Sequence, residues 1–346
     1  MYKRQHIITV LEMLAAVDHP SAIQAVLAFA TRHPVRSVRE NAQGLVQSIA
    51  DAKGWSVEEL ADRTVPTGGL EDDGTLTLEF GPRSFTLTLE DDLSLVLRDG
   101  DGKALKSLPE PRSGDDPDKA AAAKSALATA RKELKALLPQ QTARLYEAMC
   151  LEKSWPAEDW PRYIAAHPIL GRMVQRLVWC NDDGTLFRPL ADGSLTDVDD
   201  TATTLPEGAR VRLAHAIPAG PDASAAWARH FVDYEVKPLF SQFGRPVPEL
   251  AAGQTGFADA VGAMMSSLKL RGIATKLGYE RGPSQDGVWY NNFVRAYPSL
   301  GLQASLMFTG CGHGGEDRPV ALKEAGVLRS GDAYPRAENY VPLDSV

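Results

Sequence analysis

Residues 75–100 read TLTLEFGPRSFTLTLEDDLSLVLRDG, and this stretch decides the fold class. Leucine and phenylalanine alternate with polar residues in three short runs. Turn-forming pairs separate the runs, namely Gly81-Pro82, Asp91-Asp92 and Asp99-Gly100. Strict alternation is typical of strands with one buried and one solvated face, and such turns join antiparallel neighbours. The stretch therefore predicts an antiparallel meander.

Helical periodicity replaces this alternation on both sides of the meander. Apolar residues recur at spacings of three and four through residues 6–54, on successive short helices. After the meander, Asp116 is a typical N-cap and Pro117 a typical first helical residue, and we expect this helix to end at Pro139. Further helices are predicted near 222–232 and 255–270, and strands within 184–215 and near 287–296, 300–308 and 318–328. Helices and antiparallel strands come in blocks, which indicates the α+β class.

Three regions are predicted along the chain. Residues 1–54 are similar to the truncated end of a HEAT-like helical repeat, and residues 331–346 read as a C-terminal tail. Between them, residues 55–330 form the α+β domain, entered through a linker at 55–70. One such repeat cannot bury its own apolar face. We therefore expect a fragment of a longer protein, whose helical repeats offer a surface to a protein partner.

Composition and charge disfavour several classes of protein. The 346 residues carry a formal net charge of −8, and this acidity disfavours nucleic acid as a partner. There is no run of about 18 apolar residues, so no membrane span is predicted. The three cysteines are too sparse for a disulfide framework, and no signal peptide is visible. These features predict a cytoplasmic protein.

Five short stretches together resemble one family. They are LADRTVPT at 60–67, FGPR at 80–83, KSLP at 106–109, GRPV at 244–247, and RGP with QDG within 281–287. In this order and spacing they look like the domain of unknown function shared with bacterial molybdate metabolism regulator (MolR-like) proteins. The resemblance covers residues 55–330, and helical repeats often precede this domain. It implies a regulatory role, but no reaction, no catalytic residues and no cofactor.

Common nucleotide and metal motifs are missing from the sequence. There is no phosphate loop of the form Gly-x-x-x-x-Gly-Lys-Ser/Thr, no strand-linked Gly-x-Gly-x-x-Gly, no His-Glu-x-x-His and no Cys-x-x-Cys. Residues 99–110 begin like a calcium loop, but Lys103 and Ala104 stand where a ligand and a glycine are needed. We interpret that segment as a hairpin turn, and we predict no metal ligands.

Two arginines on fixed turns could hold an anionic ligand. Arg245 and Arg281 lie in Gly-Pro turns, with Asp286 nearby, and residues 240–300 hold six basic against four acidic residues. Two arginines could clamp a carboxylate or a phosphate through paired hydrogen bonds. Equally, each arginine could pair with an acid and lock its own turn.

A glycine-rich loop at 309–317 carries Cys311 and His313 between two predicted strands. A thiolate beside an imidazole could form a nucleophile–base pair or half of a metal site, whereas the alternative is a flexible strand connection. Catalytic residues and cofactors remain unassigned, and whether the chain is an enzyme stays open. Two functions are therefore carried forward: a regulatory or interaction module without a recognisable catalytic site, and an enzyme or sensor that binds a small anion through Arg245 and Arg281.

Overall fold

The computed structural model confirms the α+β class, with helices and antiparallel sheets in the same chain. It describes residues 2–33, 35–244, 250–257, 261–284, 287–297, 300–330 and 339–345. The chain divides into two compact units, Met1–Val247 and Pro248–Val346. The predicted boundaries at residues 54 and 330 stay a prediction. In the part of the chain that is described, no helix is long and apolar enough to cross a membrane.

Unit 1 begins with packed helices. They are α1 (Tyr2–Ala15), α2 (Pro20–Arg32), α3 (Arg36–Lys53) and α4 (Val57–Arg63). The apolar stripes predicted within residues 6–54 form their common core. Helix α4 lies inside the predicted linker at 55–70. The Ser56 hydroxyl accepts the Glu59 N–H while the Glu59 carboxylate accepts the Ser56 N–H, and this capping box explains why a helix starts there.

The meander follows as a four-stranded sheet in the order β1-β2-β3-β4. Its strands are β1 (Thr75–Glu79), β2 (Ser84–Leu89), β3 (Leu95–Arg98) and β4 (Ala104–Leu105). Phe85, Leu87 and Leu89 of β2 are buried at alternate positions, as predicted. The turn at Asp99 joins β3 to β4 and so confirms the hairpin interpretation, because the Asp99 N–H donates to the Lys103 carbonyl.

Helix α5 (Pro117–Cys150) crosses the residue where we expected it to stop. The predicted cap is confirmed, since the Asp116 carboxylate accepts two main-chain N–H groups of the first turn. Pro139 lies inside the helix, and the expected end there is wrong. Leu137 before it and Leu145 after it are buried in one core cluster. Packing on both sides therefore outweighs the roughly 3 kcal/mol that an interior proline costs.

A second, six-stranded sheet has the order β5-β10-β6-β7-β8-β9. Its strands are β5 (Ser154–Pro156), β6 (Trp179–Asn181), β7 (Leu186–Pro189), β8 (Leu195–Thr196), β9 (Ala202–Thr203) and β10 (Arg210–Leu213). A π-helix (Trp160–Ala165), α6 (Leu170–Val174) and α7 (Ala216–Asp233) accompany it. Side chains of this sheet enter two separate core clusters, one with Trp179 and Phe187 and the other with Cys180, Trp227 and Phe231.

The described residues of unit 2 form a five-stranded antiparallel sheet in the order β11-β15-β14-β13-β12, together with one α-helix and a short 3-10 helix at Leu343–Ser345. Its elements are β11 (Met264–Ser266), α8 (Ser267–Lys276), β12 (Glu280–Arg281), β13 (Tyr290–Tyr297), β14 (Leu302–Cys311) and β15 (Pro319–Arg329). The three long predicted strands are confirmed. The helix predicted at 255–270 is wrong in position, because Gly256 bridges to Gly326 and Ser266 caps α8 instead.

The described end of the chain packs against β15. Tyr340 bridges to Leu328, and the Val341 N–H donates to the Val327 carbonyl. Tyr340 is only 6% exposed. Residues 339–345, the described part of the predicted tail, therefore belong to the body of unit 2.

Candidate functional site

A groove of about 980 Å³ opens in unit 1 beside β7, α6 and the C-terminal end of α7. The turn between β2 and β3 adds Asp91 and Asp92 to its lining. Four cationic side chains line it, namely Arg172, Arg176, Arg188 and Lys237. Its volume is in the range of pockets that hold small organic ligands.

Arg188 is the most buried of these cations. It lies on β7 opposite Thr196 and is 8% exposed. Its Nε donates to His230 Nε2 at 3.3 Å, and its Nη1 donates to the Gln175 carbonyl at 3.5 Å. These contacts use two of the five donors of a guanidinium. Burial lowers the pKa of Arg188, because the charged form is poorly solvated there.

Arg172 and Arg176 are held by main-chain carbonyls. Arg176 Nε donates to the Lys237 carbonyl at 2.6 Å, and burial lowers the pKa of this arginine. Arg172 Nη2 donates to the Asp73 carbonyl at 3.1 Å, whereas its buried Nε has no hydrogen-bond partner among the described residues. Gly74 makes this approach possible, because a Cβ there would lie 2.5 Å from the guanidinium.

Four cations and three acids line the groove, the acids being Asp91, Asp92 and Glu235, so one positive charge is in excess. Among the described residues, no carboxylate lies within 4.0 Å of the charged nitrogens of the four cations. Nearby acids nevertheless interact with three of these cations through their charge: Asp200 with Arg188, Asp73 with Arg172, and Asp92 with Arg176. Hydrogen bonds from Ser94 are the main cause of the lowered pKa of Asp92, and the charges of Arg176 and Lys237 add to the effect. Buried arginines are usually paired with acids, whereas the described partners of these arginines are main-chain carbonyls and His230. The guanidinium donors that remain favour an incoming anion.

His230 and Tyr234 form an aromatic wall beside Arg188. His230 is 5% exposed and accepts from Arg188 through Nε2, so the imidazole is neutral with its proton on Nδ1. Burial, followed by the charge of Arg188, lowers the pKa of His230. The Tyr234 hydroxyl donates to the Asp200 carboxylate at 2.5 Å, and its ring centroid lies 4.6 Å from that of His230.

Of the residues singled out from the sequence, Arg281 and Cys311 both meet Tyr290 in unit 2. The Arg281 guanidinium lies 4.3 Å from the centroid of the Tyr290 ring and donates to the Val288 carbonyl at 3.2 Å and to the Ser284 hydroxyl. Tyr290 is buried and hydrogen-bonds to Cys311, and burial is the first cause that raises its pKa to about 12. Arg281 thus stabilises the turn that follows it, through its hydrogen bonds to Ser284 and Val288.

The thiol of Cys311 and the imidazole of His313 do not face each other. Cys311 is 1% exposed, and its sulfur lies 3.8 Å from the main-chain carbonyl of His313. His313 Nδ1 accepts the Gly315 N–H, and Glu316 accepts the Gly312 N–H at 2.6 Å, which folds the loop on itself. Within the described ranges, no group of three or more His, Cys, Asp or Glu side chains could hold a metal ion.

Arg245 and Asp286 lie outside the described residues. The clamp of Arg245 with Arg281 therefore stays a prediction. The groove was missed because its cations come from separate segments that carry no recognised motif.

Comparison with known proteins gives the family. Residues 102–279, just over half of the chain, match the family described as a domain of unknown function, DUF4132. The chain belongs to this family. It is also 32% identical over 242 residues to the uncharacterized protein YehI of Escherichia coli strain K12, an alignment that covers 68% of this chain and 20% of that protein. No solved structure matches the chain.

The residues matched by the family include the cations of the groove and exclude the candidate residues of unit 2. All four cations of the groove lie within the matched residues 102–279, whereas Arg281, Cys311 and His313 lie beyond them. Neither the family description nor the relative's name mentions molybdate. This DUF4132 chain spans about a fifth of the relative's length, so the activity of the whole relative is a separate question.

Proposed function

We propose that this DUF4132 chain is a regulatory module that senses a small anionic ligand in the groove of unit 1. The observation that carries the proposal is Arg188, which is 8% exposed and has no carboxylate partner among the described residues. An unpaired buried charge costs several kcal/mol, and a bound anion would remove much of that cost. A phosphate or a carboxylate matches the planar donors of arginine.

The regulatory part of the proposal rests on the resemblance to MolR-like proteins described from the sequence. The helices of residues 1–54, taken as a HEAT-like repeat, would then offer a surface through which a ligand-dependent signal reaches a protein partner. The ligand site proposed here replaces Arg245 and Arg281 by Arg176 and Arg188. An enzyme acting on the same anion is the alternative, and turnover of a bound ligand would favour it.

Anion binding by matched variants tests the proposal. Isothermal titration at low ionic strength would measure the affinity of the chain for inorganic phosphate, sulfate, molybdate and succinate. Arg176→Gln removes one cation from the groove. Arg229→Gln is the matched control, because Arg229 is an exposed arginine of α7 that does not line the groove.

We expect at least one of these anions to bind the unaltered chain and the Arg229→Gln variant with equal affinity. Arg176→Gln should weaken that binding by about tenfold or more, since a hydrogen bond to a charged group contributes roughly 1.5–3 kcal/mol. Equal binding by all three proteins would place the anion elsewhere. If none of the four anions binds, the sensor proposal is wrong.

A further inference from the structure

Tyr234 places a half-exposed and well-anchored aromatic ring at the groove. It is 50% exposed and lines the groove, yet three contacts hold it in place. Its hydroxyl donates to Asp200, its ring lies against that of His230 at an interplanar angle of 33°, and the Arg188 guanidinium lies 5.7 Å from its centroid. A ring that is already immobilised loses little entropy when a ligand stacks on it.

Unit 1 exposes large apolar side chains on its N-terminal helical segment, at Val10, Met13, Val17 and Val35, and again near this groove. Across residues 36–244, all of which are described, the exposed large apolar side chains are Ile217, Val232 and Tyr234. Two of them, Val232 at 75% exposure and Tyr234, line the groove. Exposed apolar residues beside convergent polar groups are typical of ligand sites.

We infer that the ligand is a nucleoside monophosphate, whose phosphate meets Arg188 and Arg176 while its planar base stacks on Tyr234. This inference rests on the proposed function and names the ligand class of the same groove. Aromatic side chains bind bases of any sequence through their faces. Asp91 and Asp92, which also line the groove, can accept hydrogen bonds from sugar hydroxyls or a base amino group.

The size of the groove agrees with this class. About 980 Å³ exceeds what an inorganic oxyanion fills and is sufficient for a mononucleotide-sized ligand. Val232, which is 75% exposed, adds apolar surface to the lining. A phosphate alone would leave this surface and the Tyr234 ring in contact with water.

Titrations with ribose 5-phosphate and AMP separate the contribution of the base from that of the phosphate. In the unaltered chain we expect AMP to bind about tenfold more tightly than ribose 5-phosphate, because base–aromatic stacking contributes enough for this ratio. Tyr234→Ala should reduce the ratio to below threefold and leave the affinity for ribose 5-phosphate within twofold. Tyr234→Phe keeps the ring and should retain most of the ratio.

Thermal unfolding without ligand shows whether each variant is folded, and Tyr234→Leu replaces Tyr234→Ala if the alanine variant is not. Equal binding of AMP and ribose 5-phosphate by the unaltered chain would overturn the inference and leave the anion site intact. The inference would also be overturned if Tyr234→Ala, or Tyr234→Leu in its place, still bound AMP about tenfold more tightly than ribose 5-phosphate. If none of the four simple anions binds, the proposed function fails, and the inference that rests on it fails with it.

Discussion

Replacing Arg188 by methionine distinguishes an arginine kept for a ligand from one that stabilises the fold. Its hydrogen bonds to His230 at 3.3 Å and to the Gln175 carbonyl at 3.5 Å are long, and we assign them about 1 kcal/mol each. These bonds are opposed by the free-energy cost of burying the Arg188 charge without an acidic partner. This side chain is 8% exposed, and the cost amounts to several kcal/mol for a buried ion. Methionine fills similar space without charge. We therefore expect the free energy of unfolding without ligand to stay level or to rise by about 1–2 kcal/mol.

Urea unfolding, followed through the buried tryptophans of unit 1, measures this effect with and without phosphate. These tryptophans are Trp155, Trp160, Trp179 and Trp227. Phosphate at about 100 times its dissociation constant should stabilise the unaltered chain by about 2.7 kcal/mol and should leave Arg188→Met unchanged. A loss of more than about 2 kcal/mol without phosphate would refute the reasoning, because Arg188 would then be a structural residue. The reasoning would also be refuted if phosphate stabilised Arg188→Met as much as it stabilises the unaltered chain.

Two further predictions concern ion pairs of unit 1. Asp62→Ala should lower the free energy of unfolding in urea by about 3–5 kcal/mol, because the buried Asp62 carboxylate is the partner of both Arg144 and Lys153; a loss below about 1 kcal/mol would contradict this. A hydrogen bond from the Arg83 guanidinium is the main cause that lowers the pKa of Asp115 from 3.8 to about 2. The ionised Asp115 carboxylate therefore stabilises the folded chain above pH 3.8, and this contribution is lost as the pH falls through 2. The melting temperature of the unaltered chain should therefore fall more steeply between pH 4 and pH 2 than that of Asp115→Asn, and parallel curves would contradict this.

The elements that were predictable are those whose burial is decided locally. β2 was visible because one buried face imposes a period of two on its sequence. The buried positions of the long strands of unit 2 do not alternate in this way. Helix α4 was equally visible in principle, through the spacing of Ser56 and Glu59. The segment near 255–270 was not, because its conformation depends on a bridge between Gly256 and Gly326, which are far apart in sequence.

The groove could not be read from the sequence, for a related reason. Phe187 faces one core cluster of the second sheet, so alternation along β7 places Arg188 on the opposite face. An arginine in that position reads as a solvated residue. It is buried because α7, with Trp227 and Phe231, covers that second face. A sheet that is covered on both faces lacks the alternation of apolar and polar residues that is typical of a sheet with one solvated face. The sequence around a buried arginine in such a sheet therefore does not indicate that the arginine is buried.

One residue that carried the resemblance makes contacts that connect elements of unit 1. Asp62, in the stretch at 60–67, accepts from Arg144, Lys153 and the Trp155 indole. These bonds connect α4 with α5 and β5. A resemblance built on such residues is informative about packing, and it says little about where a ligand binds.

Net charge and local charge favour different ligands for this chain. With a formal charge of −8, the molecule as a whole repels long polyanions, since charges act over about 10 Å at 0.1 M salt. The cations of the groove act at hydrogen-bond distance, where poor solvation strengthens their interaction with an anion. A ligand must therefore be small enough to place its charge inside the groove and to leave little of it near the acidic surface. A mononucleotide satisfies this condition, whereas an oligonucleotide would expose its remaining phosphates to the repulsive field.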